Sequence, residues 1–145
     1  MSVDRSADVF ELGVEMRSPP SLPAPVGLYS HISVVPHARL AFIAGQLAVG
    51  EDGAIVGEGD IDQQIERCFR NIGLALQSLG VGWQHLAKMT TYVISEEAID
   101  DFYRVREQLF NEFFPDGKYP PNTLLVVRRL VRSEFLIEIE AVAVV

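Results

Sequence analysis

The last eleven residues, Phe135 to Val145, read FLIEIEAVAVV. Neighbouring side chains on a strand point to opposite faces, so Ile137, Ile139, Ala141 and Ala143 make one wholly apolar face. Glu138, Glu140, Val142 and Val144 make a mixed one. The apolar face needs a second layer of structure packed on it. The mixed face poses the opposite problem, because a carboxylate held away from water costs several kcal/mol unless it is paired or hydrogen-bonded. Either both glutamates are solvated on a half-exposed strand, or at least one faces a wet cleft or a partner.

Upstream sequence supplies the covering layer. From Asp60 to Leu79, apolar residues Ile61, Ile65, Cys68, Ile72, Ala75, Leu76 and Leu79 recur at three- and four-residue steps, with Asp62, Glu66, Arg70 and Gln77 on other faces. This predicts an amphipathic helix capped by Asp60 and stopped at Gly80. A strand over about Leu86 to Ile94 precedes a second helix, Glu97 to Phe114, ended by Pro115. Strands at Thr123 to Arg129 and Phe135 to Val144 follow. Ahead of the first helix, SHISVV (Ser30 to Val35) and RLAFIAGQLAV (Arg39 to Val49) read as a hairpin around Pro36 to Ala38. Ala54 to Val56 reads as a brief returning strand after the turn at Glu51 to Gly53. The order β-β-β-α-β-α-β-β sets two helices against one sheet, an α+β domain. A short amphipathic helix at about Ala7 to Met16 and the extended SPPSLPAP stretch make residues 1–21 a leader, and residues 22–145 the domain.

Composition narrows the function. The chain carries 20 acidic and 12 basic residues, a net charge of −8, and its basic residues form no stripe beyond Arg128, Arg129 and Arg132. Such a surface repels phosphate backbones, which argues against a nucleic-acid partner and against a ribonuclease. No apolar run approaches the ~20 residues of a membrane span, and the N-terminal residues do not read as a signal peptide, so the cytoplasm is the expected location. The single cysteine, Cys68, excludes an internal disulfide and falls on the apolar face of the first helix, as a core thiol does. His31, His37 and His85 show no metal-ligand spacing. Neither metal nor cofactor is expected.

GLYS (Gly27 to Ser30), IAGQ (Ile43 to Gln46), a first helix bearing Gln63, Gln64 and Asn71, and LIEIEAVA (Leu136 to Ala143) occur in that order. The combination resembles the reactive intermediate deaminase family, also labelled YjgF/YER057c/UK114, over about Leu22 to Val145. The resemblance implies a chorismate-mutase-like α+β fold, a mixed sheet with two helices on one face, and a homotrimer with clefts between subunits. It also implies hydrolysis of an imine or enamine, formed from amino acids by pyridoxal-phosphate enzymes, to a keto acid and ammonia. By the same resemblance Glu138 holds the attacking water, Glu140 is structural and Tyr29 packs beside the substrate. A carboxylate at hydrogen-bond distance suits the first role, since it can orient water and take its proton.

One departure stands out. Family members acting on amino-acid-derived imines carry an arginine in a P-x-R-S pattern, whose guanidinium clamps the substrate carboxylate. Here the stretch is Pro120, Pro121, Asn122, Thr123, with Asn122 at the arginine position. Losing a desolvated charge pair costs ~2 to 5 kcal/mol, so a substrate class altered from the standard 2-imino acids is expected. Arg106, where many members carry asparagine, is one candidate to resupply the charge. Arg128, which shares strand parity with Asn122, is another. Otherwise the ligand has no carboxylate, and Asn122, Thr123 and His31 offer neutral hydrogen bonds. A non-catalytic ligand-binding or protein-protecting trimer is the competing function.

Overall fold

The computed structural model describes residues 13–35 and 39–145. Helix α1 runs from Ile61 to Ser78, with Asp60 in extended geometry accepting a hydrogen bond from the Gln63 amide at 3.1 Å. It buries Ile65, Cys68, Ile72 and Leu76 of the predicted stripe and adds Phe69, while Leu79, expected on that stripe, is exposed. Helix α2, Glu97 to Phe113, takes its cap from Ser95, whose Oγ accepts from the Ala98 amide at 3.3 Å. Aromatic packing joins the two helices: Phe69 stacks on Phe102 at 6.1 Å and meets Phe110 edge-on at 5.6 Å.

Both helices lie on one face of a four-stranded mixed sheet. The strands are β3 (Leu40–Gln46), β4 (Leu86–Val93), β5 (Asn122–Val126) and β6 (Ile137–Val144), in the order β3-β6-β4-β5. Only β4 and β5 are parallel, and the sheet is otherwise antiparallel. The closing strand β6 thus sits in the sheet interior, and Ile137, Ile139, Ala141 and Ala143 are buried under the helices. Among the described residues the other face has no covering layer. Phe42 is 78% exposed on it, beside Val142 and Glu140.

The expected hairpin does not form. A separate two-stranded ribbon pairs β1 (Glu15–Arg17) with β2 (Ile32–Val34), while β3 pairs with β6 from Leu40↔Val144 to Gln46↔Ile139. Local turn chemistry around residues 36–38, which lie outside the described residues, lost to a long-range partner with a complementary apolar face. The expected helix at Ala7 to Met16 lies mostly outside the described residues, and its described end belongs to β1. Ala54 to Val56 contributes one isolated bridge, Val49↔Ile55. β5 ends at Val126, so Arg128 lies beyond the strand and the parity argument linking it to Asn122 does not apply. Among the described residues no helix is long and apolar enough to cross a membrane, and no cluster of potential metal ligands occurs.

Candidate functional site

Glu138 and Glu140 project from β6 onto the uncovered face, where Glu138 lies opposite Tyr92 of β4. On its other side is Gly45 of β3. The Glu138 carboxylate occupies the space that a Cβ at Gly45 would need, so the glycine in IAGQ is a packing requirement of the glutamate. Tyr92, Arg129, Val131, Glu138 and Glu140 line an open cavity of about 360 Å³. Partial burial, then the charge of Glu140, push the Glu138 carboxyl above its ordinary range. Glu140 instead accepts a hydrogen bond from the Tyr92 hydroxyl at 3.1 Å, which fits a network role.

Residues that the motifs singled out on α1 hold this arrangement. Gln64, fully buried, donates to the carbonyls of Gly57 and Glu134 and accepts from the Leu136 amide at 2.8 Å, fixing where β6 begins. Asn71 donates to the carbonyls of Leu47 and Val49, fixing the exit of β3. Cys68 is fully buried, and burial pushes its thiol far up, so it supplies no thiolate.

The other candidates divide between the two faces. Thr123 lies on the uncovered face, its hydroxyl accepting from Lys88 Nζ at 3.2 Å. Asn122, one residue earlier, turns to the helix side, and its Oδ1 accepts from the buried Thr91 hydroxyl at 2.9 Å. Arg106 is buried on α2 with its guanidinium 4.8 Å from the Tyr103 ring centre and beside Gly27. Tyr29 borders the same glycine. His31 meets Tyr29 edge-on and donates through its ring to the Pro23 carbonyl, which ties down the proline-rich leader. The row of Asn122 and that of Glu138 are three residues apart along β4, roughly 10 Å. Within one chain, Glu138 and Thr123 therefore share one face of the sheet, while Asn122 and Arg106 lie on the other. Tyr92 and Arg129 were not singled out from sequence; the Tyr92↔Glu138 register that brings Tyr92 to the site is long-range.

A profile of the family described as Endoribonuclease L-PSP matches residues 20–145. The RutC family protein slr0709 of Synechocystis is 32% identical over 84% of this chain and 89% of its own length. A rat protein named 2-iminobutanoate/2-iminopropanoate deaminase is 28% identical over 84% of this chain and 83% of its own. Among solved structures, a protein of the Rid family from Yersinia pestis, YyfB, superposes with a TM-score of 0.82 at 26% identity, covering 92% of this chain and 99% of that one. The E. coli YjgF product, at 23% identity and a TM-score of 0.65 over 90% of this chain and 98% of that one, shares the chorismate-mutase-like fold. The chain belongs to the reactive intermediate deaminase (YjgF/YER057c/UK114) family, whose profile carries the L-PSP name.

Proposed function

We propose that the protein hydrolyses a small imine or enamine to a carbonyl compound and ammonia, with Glu138 as the base that activates water. The observation that carries this reading is the Glu138 carboxylate itself. It is seated over Gly45, free of any ion pair among the described residues, raised in pKa and open to a cavity large enough for a small ligand. In the reaction the carboxylate takes a proton from water as its oxygen bonds to the C=N carbon, and the electron pair of that bond moves to nitrogen. The same carboxyl then returns a proton to the nitrogen of the tetrahedral adduct. The hydroxyl of the adduct then gives its proton to the carboxylate, which passes it to the amine nitrogen as the C–N bond breaks, so ammonia leaves, C=O remains and one water enters for each ammonia released. The rat relative's name supports a reaction of this class.

A second copy of the chain completes the cleft in this reading, and the family's homotrimer is the assembly proposed. The support is the uncovered face: Phe42, Leu40 and Leu125 are exposed there, beside a groove of about 310 Å³ bordered by Lys88, Thr90 and Glu140. Apolar surface of this kind on a sheet marks an interface. Asn122 favours a second function, ligand binding without turnover, because its position supplies no charge to hold a substrate acid. The deciding assay follows ammonia release from 2-iminobutanoate, formed in situ by an amino-acid oxidase, and from an imine lacking a carboxylate. Acceleration of at least one, abolished by Glu138→Gln, is expected. Acceleration of neither by wild type, with ligand still bound, would leave the binding reading.

A further inference from the structure

Arg106 is the largest fully buried side chain among the described residues, at 1% exposure. Its guanidinium lies over three rings, 5.0 Å from the centre of Phe102, 4.8 Å from Tyr103 and 5.6 Å from Phe110. It enters none of the ion pairs of the described residues, and its Nε is shut off from solvent with no acceptor. Ring faces attract a guanidinium, but they do not replace the in-plane acceptors that its five N–H groups want. A buried charge without such partners is strongly disfavoured. An arginine stays cationic under these conditions, and an anion is the partner that compensates such a charge most fully.

The guanidinium edge lies against the backbone of Gly27. A Cβ built on Gly27 would lie 2.9 Å from Arg106 Nη2, 3.7 Å from the Tyr103 ring and 3.9 Å from the Tyr29 ring. Gly27 thus packs directly on the guanidinium edge, with two tyrosines beside it. The charged or titratable groups that bear on Arg106 are Tyr103, Tyr119 and Tyr29. With no second cation bearing on it among the described residues, the site suits one planar monoanion rather than a phosphate.

We propose that Arg106 is the carboxylate anchor of the substrate site, binding a small aliphatic acid whose carboxylate meets the guanidinium beside Gly27, while Tyr29 and Tyr103 pack its carbon chain. The identity of that acid as a 2-imino acid rests on the imine-hydrolase reading; the anchor itself rests on the geometry of Arg106. The replacement at Asn122 then moves the clamp from β5 to α2 and keeps the acid, instead of changing the substrate class.

The probe is 2-oxobutanoate, the stable keto acid that hydrolysis of 2-iminobutanoate would release, compared with its uncharged amide, 2-oxobutanamide. Both are titrated by calorimetry into wild type, Arg106→Met and Glu138→Gln. Wild type and Glu138→Gln are expected to prefer the acid by at least about 30-fold. Arg106→Met, which keeps the length of the stem, is expected to lose that preference and to melt no lower than wild type, being relieved of a buried charge. A preference for the acid that survives in Arg106→Met, or no preference in wild type, overturns the anchor. Should Arg106→Met not fold, a crystal of wild type with 2-oxobutanoate decides. The carboxylate within hydrogen-bond distance of Arg106 supports the proposal, and a carboxylate bound elsewhere with Arg106 still bare overturns it. Ammonia release separates the two readings: a Glu138→Gln protein that still hydrolyses the imine at the wild-type rate defeats the proposed base and leaves the anchor standing.

Discussion

Gly45 and Glu138 form one unit, since the carboxylate lies where any larger residue at position 45 would put its Cβ. Gly45→Ala should therefore displace the carboxylate and lower activity about as far as Glu138→Gln does, by ~100-fold or more if Glu138 is the general base. Steady-state kinetics on both variants test this, and wild-type rates from Gly45→Ala would detach the glycine from the chemistry. The raised pKa of Glu138 gives two pH predictions of opposite sense. As a base the group works ionised, so kcat/KM falls as pH drops through a pKa above the ~4.3 of an ordinary glutamate. In stability, a folded-state pKa above the unfolded one contributes fully below the unfolded value and is lost as pH rises through the folded value. Glu138→Gln, neutral throughout, should then melt slightly above wild type at neutral pH, with the gap closing as pH is lowered to about 4. Thermal melts across that range check the sign; a gap that widens in acid contradicts it.

Among the elements, the helices were the most legible. Their limits follow from Asp60, the apolar stripe and Pro115, all local signals, and α1 and α2 end within a residue or so of the expected positions. Strand partners were not legible, because pairing is decided by residues distant in sequence: β3 reads locally as half of a hairpin but joins β6, about a hundred residues on. The ends of β5 and β6 depend on side-chain ties such as that of Gln64, which no periodicity reveals. Gln64→Ala leaves the Leu136 amide and the Glu134 carbonyl without their side-chain partner in a buried place. Each group so left costs about 1 to 3 kcal/mol, so destabilisation of at least that size is expected in chemical denaturation. Full stability in this variant would remove Gln64 as the positioner of β6.

For the whole molecule, the site was legible only in pieces. Glu138 was marked by strand parity and Asn122 by its departure from a pattern, yet sequence could not tell that Glu138 and Arg106 would lie on opposite sides of one sheet. The proposed assembly would draw the two from neighbouring copies into one cleft and cover the apolar face around Phe42. Phe42→Glu should accordingly yield monomer by light scattering and lose activity, whereas an unchanged oligomer would move the interface elsewhere. The most direct test of the account joins its parts. Glu138→Gln and Arg106→Met chains, each expected to be inactive alone, are co-expressed with different tags, purified through both, and assayed for ammonia release from 2-iminobutanoate. If each site takes Arg106 from one copy and Glu138 from its neighbour, every mixed trimer that carries both tags has one intact site of its three, and roughly a third of wild-type activity returns. Mixed assemblies as inactive as either parent would contradict a site shared between copies.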